Sequence, residues 1–535
     1  MSHEGIKRGL FLLLPFLAGC ASSPHASDAP PNILVIVADD LGYTDLGFLG
    51  SEIKTPNIDA LARSGILLTN FLVAPACSPT RAMLLTGRDT HDVGYGTMAG
   101  EHDEAQRGAP GYEGYLTDRF DTVATRLAGR GYLTSMAGKW HLGMRPGQGP
   151  AARGFQRSFA LLPGGASHFG DAYRLAYHPE PAPYREDGNP VSVPDDFFSS
   201  DFYTDKLIAY AREAKSSGRP FFSYASYTAP HWPLHAPDGW IDRYVGIYDD
   251  GWDALRERRF NAARRHGIAR GPKPRRNWFV TPWEQMNPVE RRREARNMEV
   301  YAAMVENLDH NIGRLLEALR ASGQLDNTLV LFFSDNGPEG NAIGKFAKVR
   351  TWPEGRLDLS SERIGRRGSY AWLGPGWAAA SVAPFRLFKA YPTQGGVRVP
   401  AIVSWPGRVR PGRSNAMMTV KDVAPTLTEV ATGAPSRRSL LRPAPDPDHV
   451  MGWELFGRCA IQKGRWKIVR MAEPWGSGER WQLFDLEADP AEERDLAAAA
   501  PEKLAELRRA WDTYAKDHGV VMPTRDMGYA NWRYP

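Results

Sequence analysis

From Asn32 onward the chain alternates short apolar runs with amphipathic stretches. Asn32–Ala38 (NILVIVA), Thr328–Phe333 (TLVLFF) and Val399–Ser404 are nearly free of polar positions, the pattern of strands covered on both faces. Leu67–Val73, Tyr132–Ala137 and Phe221–Ala225 read as further strands. Thr55 as N-cap and Pro56 at the first helical position open a helix through Ala62, Thr122–Gly129 forms another, and residues 288–320 carry a long helical period. This alternation predicts an α/β fold, a large and mostly parallel sheet covered by helices. Near residue 435 the rhythm changes. Arg458–Arg470 reads as a hairpin turning at Lys463-Gly464, Trp481–Asp485 as a strand and Pro501–Asp517 as a terminal helix. That is a smaller C-terminal α+β subdomain, an antiparallel sheet plus a helix. The expected division is a leader at 1–20, a tether at 21–31, a main domain at 32–434 and the subdomain at 435–535.

The leader reads as a processing segment. Lys7 and Arg8 precede an apolar core, Gly9–Gly19, too short to span a bilayer. It ends Leu17-Ala18-Gly19-Cys20, which resembles the lipobox of bacterial lipoproteins and predicts lipidation of Cys20; a plain secretory signal cut nearby is the alternative. Ser22–Pro31 is a flexible tether. The expected location is exported, on the periplasmic side or cell surface, held to a membrane by lipid.

Composition narrows the class. With 42% hydrophobic and 24% charged residues in 535, the chain is globular rather than disordered or coiled-coil. A net charge of +5 gives no bulk support for nucleic-acid binding. Three cysteines cannot build a disulfide framework, and Cys459 reads as a buried free thiol. The basic stretch Arg256–Arg276, with Arg291-Arg-Arg293, reads as a solvated helical face and loop; attraction to anionic lipids or polyanionic substrates is the alternative. Trp140, Trp232, Trp372 and Trp377 either line an aromatic entrance or pack in the core.

In open α/β sheets ligands bind beyond the carboxyl ends of the strands. Two apolar strands end there in polar pairs, Asp39-Asp40 and Asp335-Asn336. These are hard oxygen donors that suit Ca²⁺ or Mg²⁺ and not zinc. Either pair alone could be a turn or cap, but two at equivalent strand ends point to a cation.

The segment Cys77-Ser-Pro-Thr-Arg81, followed by Leu85-Thr-Gly-Arg88, matches the C-x-P-x-R signature of type I sulfatases, members of the alkaline phosphatase-like superfamily. Ala137-Gly-Lys139-Trp-His141-Leu-Gly143 resembles that family's second signature. Ala229-Pro-His231-Trp-Pro233, Ser334-Asp335-Asn336-Gly337 and Lys389 before Thr393-Gln-Gly-Gly396 fall where the family keeps its other site residues. The likeness runs from Asn32 to the C-terminal helix. It is strongest toward bacterial calcium-dependent arylsulfatases, through Gly111–Gly114, Tyr301–Glu306 and Gly452–Gly457. One departure is the short Pro/Arg-rich stretch between Thr432 and Gly452, where relatives carry a longer insert at the pocket rim.

The resemblance implies a sulfatase that cleaves sulfate monoesters, aryl sulfates among them. Cys77 would be converted by a formylglycine-generating maturation enzyme to formylglycine, whose hydrate attacks sulfur and then releases sulfate by hemiacetal collapse. Asp39, Asp40, Asp335, Asn336 and residue 77 would hold Ca²⁺, with Mg²⁺ as the alternative. Arg81, on the same helical face as Cys77, would steady the modified side chain. A strand-like course would put Lys139 and His141 on one face, Lys139 on sulfate and His141 as base for the collapse. His231 and Lys389 would bind sulfate oxygens and help protonate the leaving group. Competing expectations are a phosphate mono- or diester hydrolase of the same superfamily and a non-catalytic surface lipoprotein that binds sulfated polymers.

Overall fold

The computed structural model describes residues 1, 29–172, 180–271, 273–341 and 360–528. The leader, Cys20 and most of the tether lie outside the described residues. Pro31–Pro535 forms one compact unit, to which both sheets belong.

The large sheet is built around β1 (Asn32–Ala38), which is buried along its whole length. It pairs in parallel with β7 (Phe221–Ser226) on one side and β8 (Thr328–Ser334) on the other. β3 (Leu133–Lys139) joins β7, and β4 (Arg157–Leu161) joins β3, both in parallel. β8, β1, β7 and β3 form the parallel heart predicted from the apolar segments, and β4, which the sequence reading does not include, extends it. The margins are mixed. β9 (Arg398–Ser404) runs antiparallel to β8 and to β2 (Ile66–Leu72), while β10 (Gly412–Ser414) and β11 (Met418–Thr419) pair in parallel with β2. β5 (Tyr184–Glu186) and β6 (Asn189–Val191) close the other edge as an antiparallel ribbon. Among the described residues the sheet has eleven strands.

Helices cover both faces. The longest, Pro288–Ala321, starts with Asn287 as N-cap, paired reciprocally with Glu290, and Pro288 occupies the next position, where no donor is needed. It packs on the helices Ser199–Ser216 and Pro56–Ser64. No helix among the described residues is long and apolar enough to cross a membrane.

The C-terminal part is a separate four-stranded antiparallel sheet: β12 (Val450–Leu455), β13 (Arg458–Lys463), β14 (Trp466–Arg470) and β15 (Gln482–Asp485). The expected hairpin is present as β13-β14, and the terminal helix spans Pro501–Asp517. Leu507, Trp511 and Tyr514 of that helix pack on Ile461, Ile468, Leu483 and the buried free thiol Cys459. The two sheets meet where Trp453 Nε1 donates to the Val73 carbonyl at 2.8 Å.

The basic stretch is not solvated throughout, contrary to the expectation from its charge. Arg259, on the helix Gly251–Arg265, is fully buried and paired to Asp45 at 2.8 Å and Glu52 at 2.9 Å. The inward face of that helix meets two acids from a distant loop.

Candidate active site

Parallel pairing sets the site. Because β1, β3, β7 and β8 run the same way, the loops at their carboxyl ends emerge at one edge of the sheet. Ala38 is in register with Ser334, so Asp39-Asp40 and Asp335-Asn336 leave the sheet side by side. Gly138 of β3 is in register with Ser226 of β7, which brings Lys139 and the loop carrying His231 to the same edge. The helix Cys77–Thr86, buried along its length, sets its first turn against these four strand ends.

Cys77 is the first residue of that helix. Its Sγ lies 3.4 Å from Asp39 Oδ1 and 3.9 Å from Asp40 Oδ1. Burial, with the charge of Asp335, pushes the thiol well above its usual range. One turn on, Arg81 sends Nε and one terminal nitrogen to Asp335 Oδ2 at 2.9 and 2.7 Å. Its other nitrogen donates to the Lys139 carbonyl at 3.1 Å, Tyr224 Oη at 3.3 Å and Ser226 Oγ at 2.5 Å. The guanidinium thus ties together the helix, β3, β7 and the end of β8.

The carboxylates are flanked by cations. Lys139 Nζ donates to Asp39 Oδ2 at 2.7 Å, and Lys389 Nζ to Asp40 Oδ2 at 2.8 Å. Burial pushes Asp40 up to about 6 although Lys389 pulls it down; Glu339 and Asp335 add to the rise. A divalent cation at these oxygens would reverse that balance. Asp40 adopts a left-handed backbone with φ 65°, which Asp tolerates better than most residues. The turn is braced by Asp45, which accepts from Gly42 N–H at 2.9 Å and from Tyr301 Oη at 2.7 Å.

The donor chemistry fits a hard cation. Asp39, Asp40, Cys77 and His231 offer ligand atoms within 4.8 Å of one another. Asn336 donates its amide to Asp40 Oδ1 at 2.5 Å, and its own buried Oδ1 has no protein partner. Asp335 stands further back, with Oδ2 on Arg81 and Oδ1 accepting from Asp40 N–H at 3.3 Å. His231 thus joins the cluster, and Asp335 and Asn336, to which the sequence points, border it at Asp40. Oxygen chemistry favours the latter pair for Ca²⁺ or Mg²⁺.

The histidines differ in setting. β3 ends at Lys139, and His141 takes φ 54°, so the expected strand-like alternation of Lys139 and His141 does not occur. The backbone turns left-handed instead and is held by His141 N–H to the Leu162 carbonyl at 3.1 Å and Tyr95 Oη to the His141 carbonyl at 3.0 Å. Gly164 packs against the ring, where a Cβ would fall 2.5 Å from Cε1. Burial first, then Lys139 and Arg81, keeps the His141 imidazole well below its usual range, and its Nδ1 is buried without a hydrogen-bond partner. His231 is also pushed well down, by burial and then Lys389. Its Nδ1 lies 2.5 Å from the Trp232 carbonyl, which can only accept, so Nδ1 carries the proton and Nε2 faces Asp40 Oδ2 at 3.7 Å.

All ten predicted site residues within the described residues reach this one edge. Tyr224, Ser226 and Glu339 were missed. Ser223, Tyr224 and Ser226 break the apolar run of β7 (FFSYAS), a departure from the pattern of β1 and β8 that is a signal for the end of this strand. Trp140 and Trp377 are fully buried and belong to the core; Trp232 stacks on His231 with centroids 5.3 Å apart.

The chain belongs to the sulfatase family, a class of sulfuric ester hydrolases: the family model described as Sulfatase matches residues 31–434, which include the helix-borne cysteine and the paired carboxylates of this edge. The chain is 41% identical over 541 aligned positions, covering 95% of it and 97% of the relative, to an uncharacterized sulfatase of Schizosaccharomyces pombe. It is 40% identical over 434 positions, covering 79% of it and 91% of the relative, to the arylsulfatase of Klebsiella aerogenes. Among solved structures, Ps i-CgsB in complex with k-i-k-neocarrahexaose superposes with a TM-score of 0.67 at 25% identity, covering 94% of this chain and 97% of that one.

Proposed function

We propose that the protein hydrolyses sulfate monoesters of aryl or carbohydrate alcohols with a formylglycine at position 77 and a divalent cation, Ca²⁺ before Mg²⁺. One observation carries this reading. Cys77 sits between two carboxylates with its thiol held protonated, so the unmodified side chain is a poor nucleophile and a soft donor among hard oxygens. Conversion to a hydrated aldehyde replaces it with oxygens suited to both attack on sulfur and cation binding. The carbohydrate option comes from the k-i-k-neocarrahexaose in complex with the structural relative Ps i-CgsB.

Asp39, Asp40, Asp335 and Asn336 would hold the cation, whose charge would polarise the sulfate oxygens. Arg81 keeps Asp335 in place and the first helical turn against the sheet. Lys139, paired to Asp39, and Lys389, paired to Asp40, bring positive charge to the anion. Neutral His141 can accept a proton at residue 77. His231, with its proton on Nδ1, has a lone pair on Nε2 and must gain a proton there to act as acid, which an arriving anion favours. The lipid anchor at Cys20, the maturation enzyme and the periplasmic or surface location are part of the same reading and rest on the sequence motifs.

Peptide mass spectrometry of the active protein tests the central claim. An aldehyde at residue 77, together with faster turnover of an aryl sulfate than of the matching aryl phosphate, is the expected result. A fully active preparation that retains the thiol, or one that prefers the phosphate, would refute it.

A further inference from the structure

One buried acid of the site has no task in the chemistry of residue 77. Glu339 lies three residues past Asn336, on the loop after β8, and is 4% exposed. Its Oε1 accepts from the Asn341 backbone N–H at 3.0 Å and from the Asn341 side-chain amide. Its Oε2 lies 3.4 Å from Lys389 Nζ. The same loop holds the lysine by its main chain, since Lys389 N–H donates to the Pro338 carbonyl at 3.2 Å. On its other side Lys389 Nζ meets Asp40 Oδ2 at 2.8 Å.

Asp40 is also an assigned cation ligand. A cation there competes with Lys389 for the same lone pairs, so in the loaded site the hold of Asp40 on the ammonium weakens. Glu339 is not an assigned ligand, and its carboxylate is already fixed by Asn341. We propose that Glu339 is a positioning residue for the reaction: it holds the Lys389 ammonium where charge builds on the departing alcohol oxygen. The inference rests on the proposed role of Lys389 in sulfate ester cleavage.

The test uses the Ca²⁺-loaded enzyme, with formylglycine content measured for each variant, and a series of aryl sulfates whose phenols differ in acidity. Glu339→Gln is nearly isosteric and keeps an oxygen for Asn341, but it loses the charge facing Lys389. We expect kcat to fall on the order of 10–100-fold for the poorest leaving groups, as when a group that orients a ligand is removed. The fall should be smaller for the best leaving groups, with KM changed less than kcat. Lys389→Met should show the same trend, and the double variant should be no worse than Lys389→Met alone. Glu339→Asp, which keeps the charge but shortens the reach, should recover part of the loss and also serves if Glu339→Gln folds poorly. A loss independent of the leaving group in both Glu339 variants, with Lys389→Met sensitive to it, would overturn the role of Glu339 alone. If Lys389→Met is itself insensitive, the role assigned to Lys389 falls, and that of Glu339 with it.

Discussion

Arg81 offers the sharpest test of how the site is held together. It is completely buried, and its two hydrogen bonds to Asp335 Oδ2, at 2.9 and 2.7 Å, converge on one carboxylate oxygen that is itself fully buried. Three more bonds, to the Lys139 carbonyl, Tyr224 Oη and Ser226 Oγ, leave with the same side chain. Removing one partner of a buried ion pair costs about 3–5 kcal/mol, because the other charge stays behind unpaired. Set against a typical total stability of roughly 5–15 kcal/mol, that is a large fraction. Arg81→Met should therefore lower unfolding stability by about 3–5 kcal/mol when calcium is chelated. With calcium saturating, the loss should shrink, because a cation on the Asp335 carboxylate neutralises the charge that Arg81 no longer meets. Arg81→Lys keeps a charge but not the planar fork and should fall between the two. Guanidinium unfolding followed by tryptophan fluorescence, run for each variant with and without calcium, reads these differences. A loss below about 1 kcal/mol, the level of an exposed pair, or one identical with and without calcium, would mean that Asp335 is not shared between the guanidinium and a cation.

His141→Ala should release a burst of phenol from an aryl sulfate and then turn over slowly, by a factor on the order of 10²–10⁴, because the base for the second step is gone; a linear stopped-flow trace from folded protein would refute that role. His91 lies between Asp89 at 3.0 Å and Glu454 at 3.6 Å, and although burial opposes its charge, the hydrogen bond to Asp89 and the nearby negative charge of both acids lift it to about 9. A folded value raised above an unfolded one of roughly 6.5 stabilises fully below that pH and is lost as pH rises through about 9. Thermal midpoints should thus fall between about pH 6.5 and 9 in the parent and fall less in His91→Asn, with equal slopes counting against the ion triad.

The strongest signals in the sequence were those whose physics is local. β1 and β8 announce themselves because parallel strands buried on both faces exclude polar residues, and the acids that end each run stand out for the same reason. The helix Pro501–Asp517 was legible at both ends, since Pro501 can only start it and its apolar period stops at Asp517. Long-range partners were not legible. Nothing near Arg259 announces Asp45 and Glu52, some two hundred residues away, so a buried ion pair reads as one more charge on a basic helix. The same holds for Glu339, whose meaning comes from Lys389 fifty residues later, and for β12, whose mixed run Val450–Leu455 becomes a strand by pairing with β13. The left-handed turn at His141 was hidden by a regular spacing: Lys139 and His141 alternate in sequence, but the strand has ended between them.

The charges of the site also bear on which ester it takes. Asp39, Asp40, Asp335 and Glu339 place four buried carboxyl groups against three buried cations, Arg81, Lys139 and Lys389, while His141 and His231 are held neutral. Formally ionised, the protein's own groups leave one negative charge, which would repel any anionic ester. A divalent cation turns that into one positive charge, equal and opposite to the single charge of a sulfate monoester. A phosphate monoester, doubly charged near neutral pH, would leave the site negative again, in an interior where unbalanced charge is costly. On the proposed reading, the same charge balance gives a metal a role despite three cations at the site: Asp335, Asp39 and Asp40 already pair with Arg81, Lys139 and Lys389, so positive potential for the substrate would come from an additional charge. On the proposed reading, a preference for sulfate and a requirement for a cation would both follow from one arrangement of carboxylates at the ends of β1 and β8.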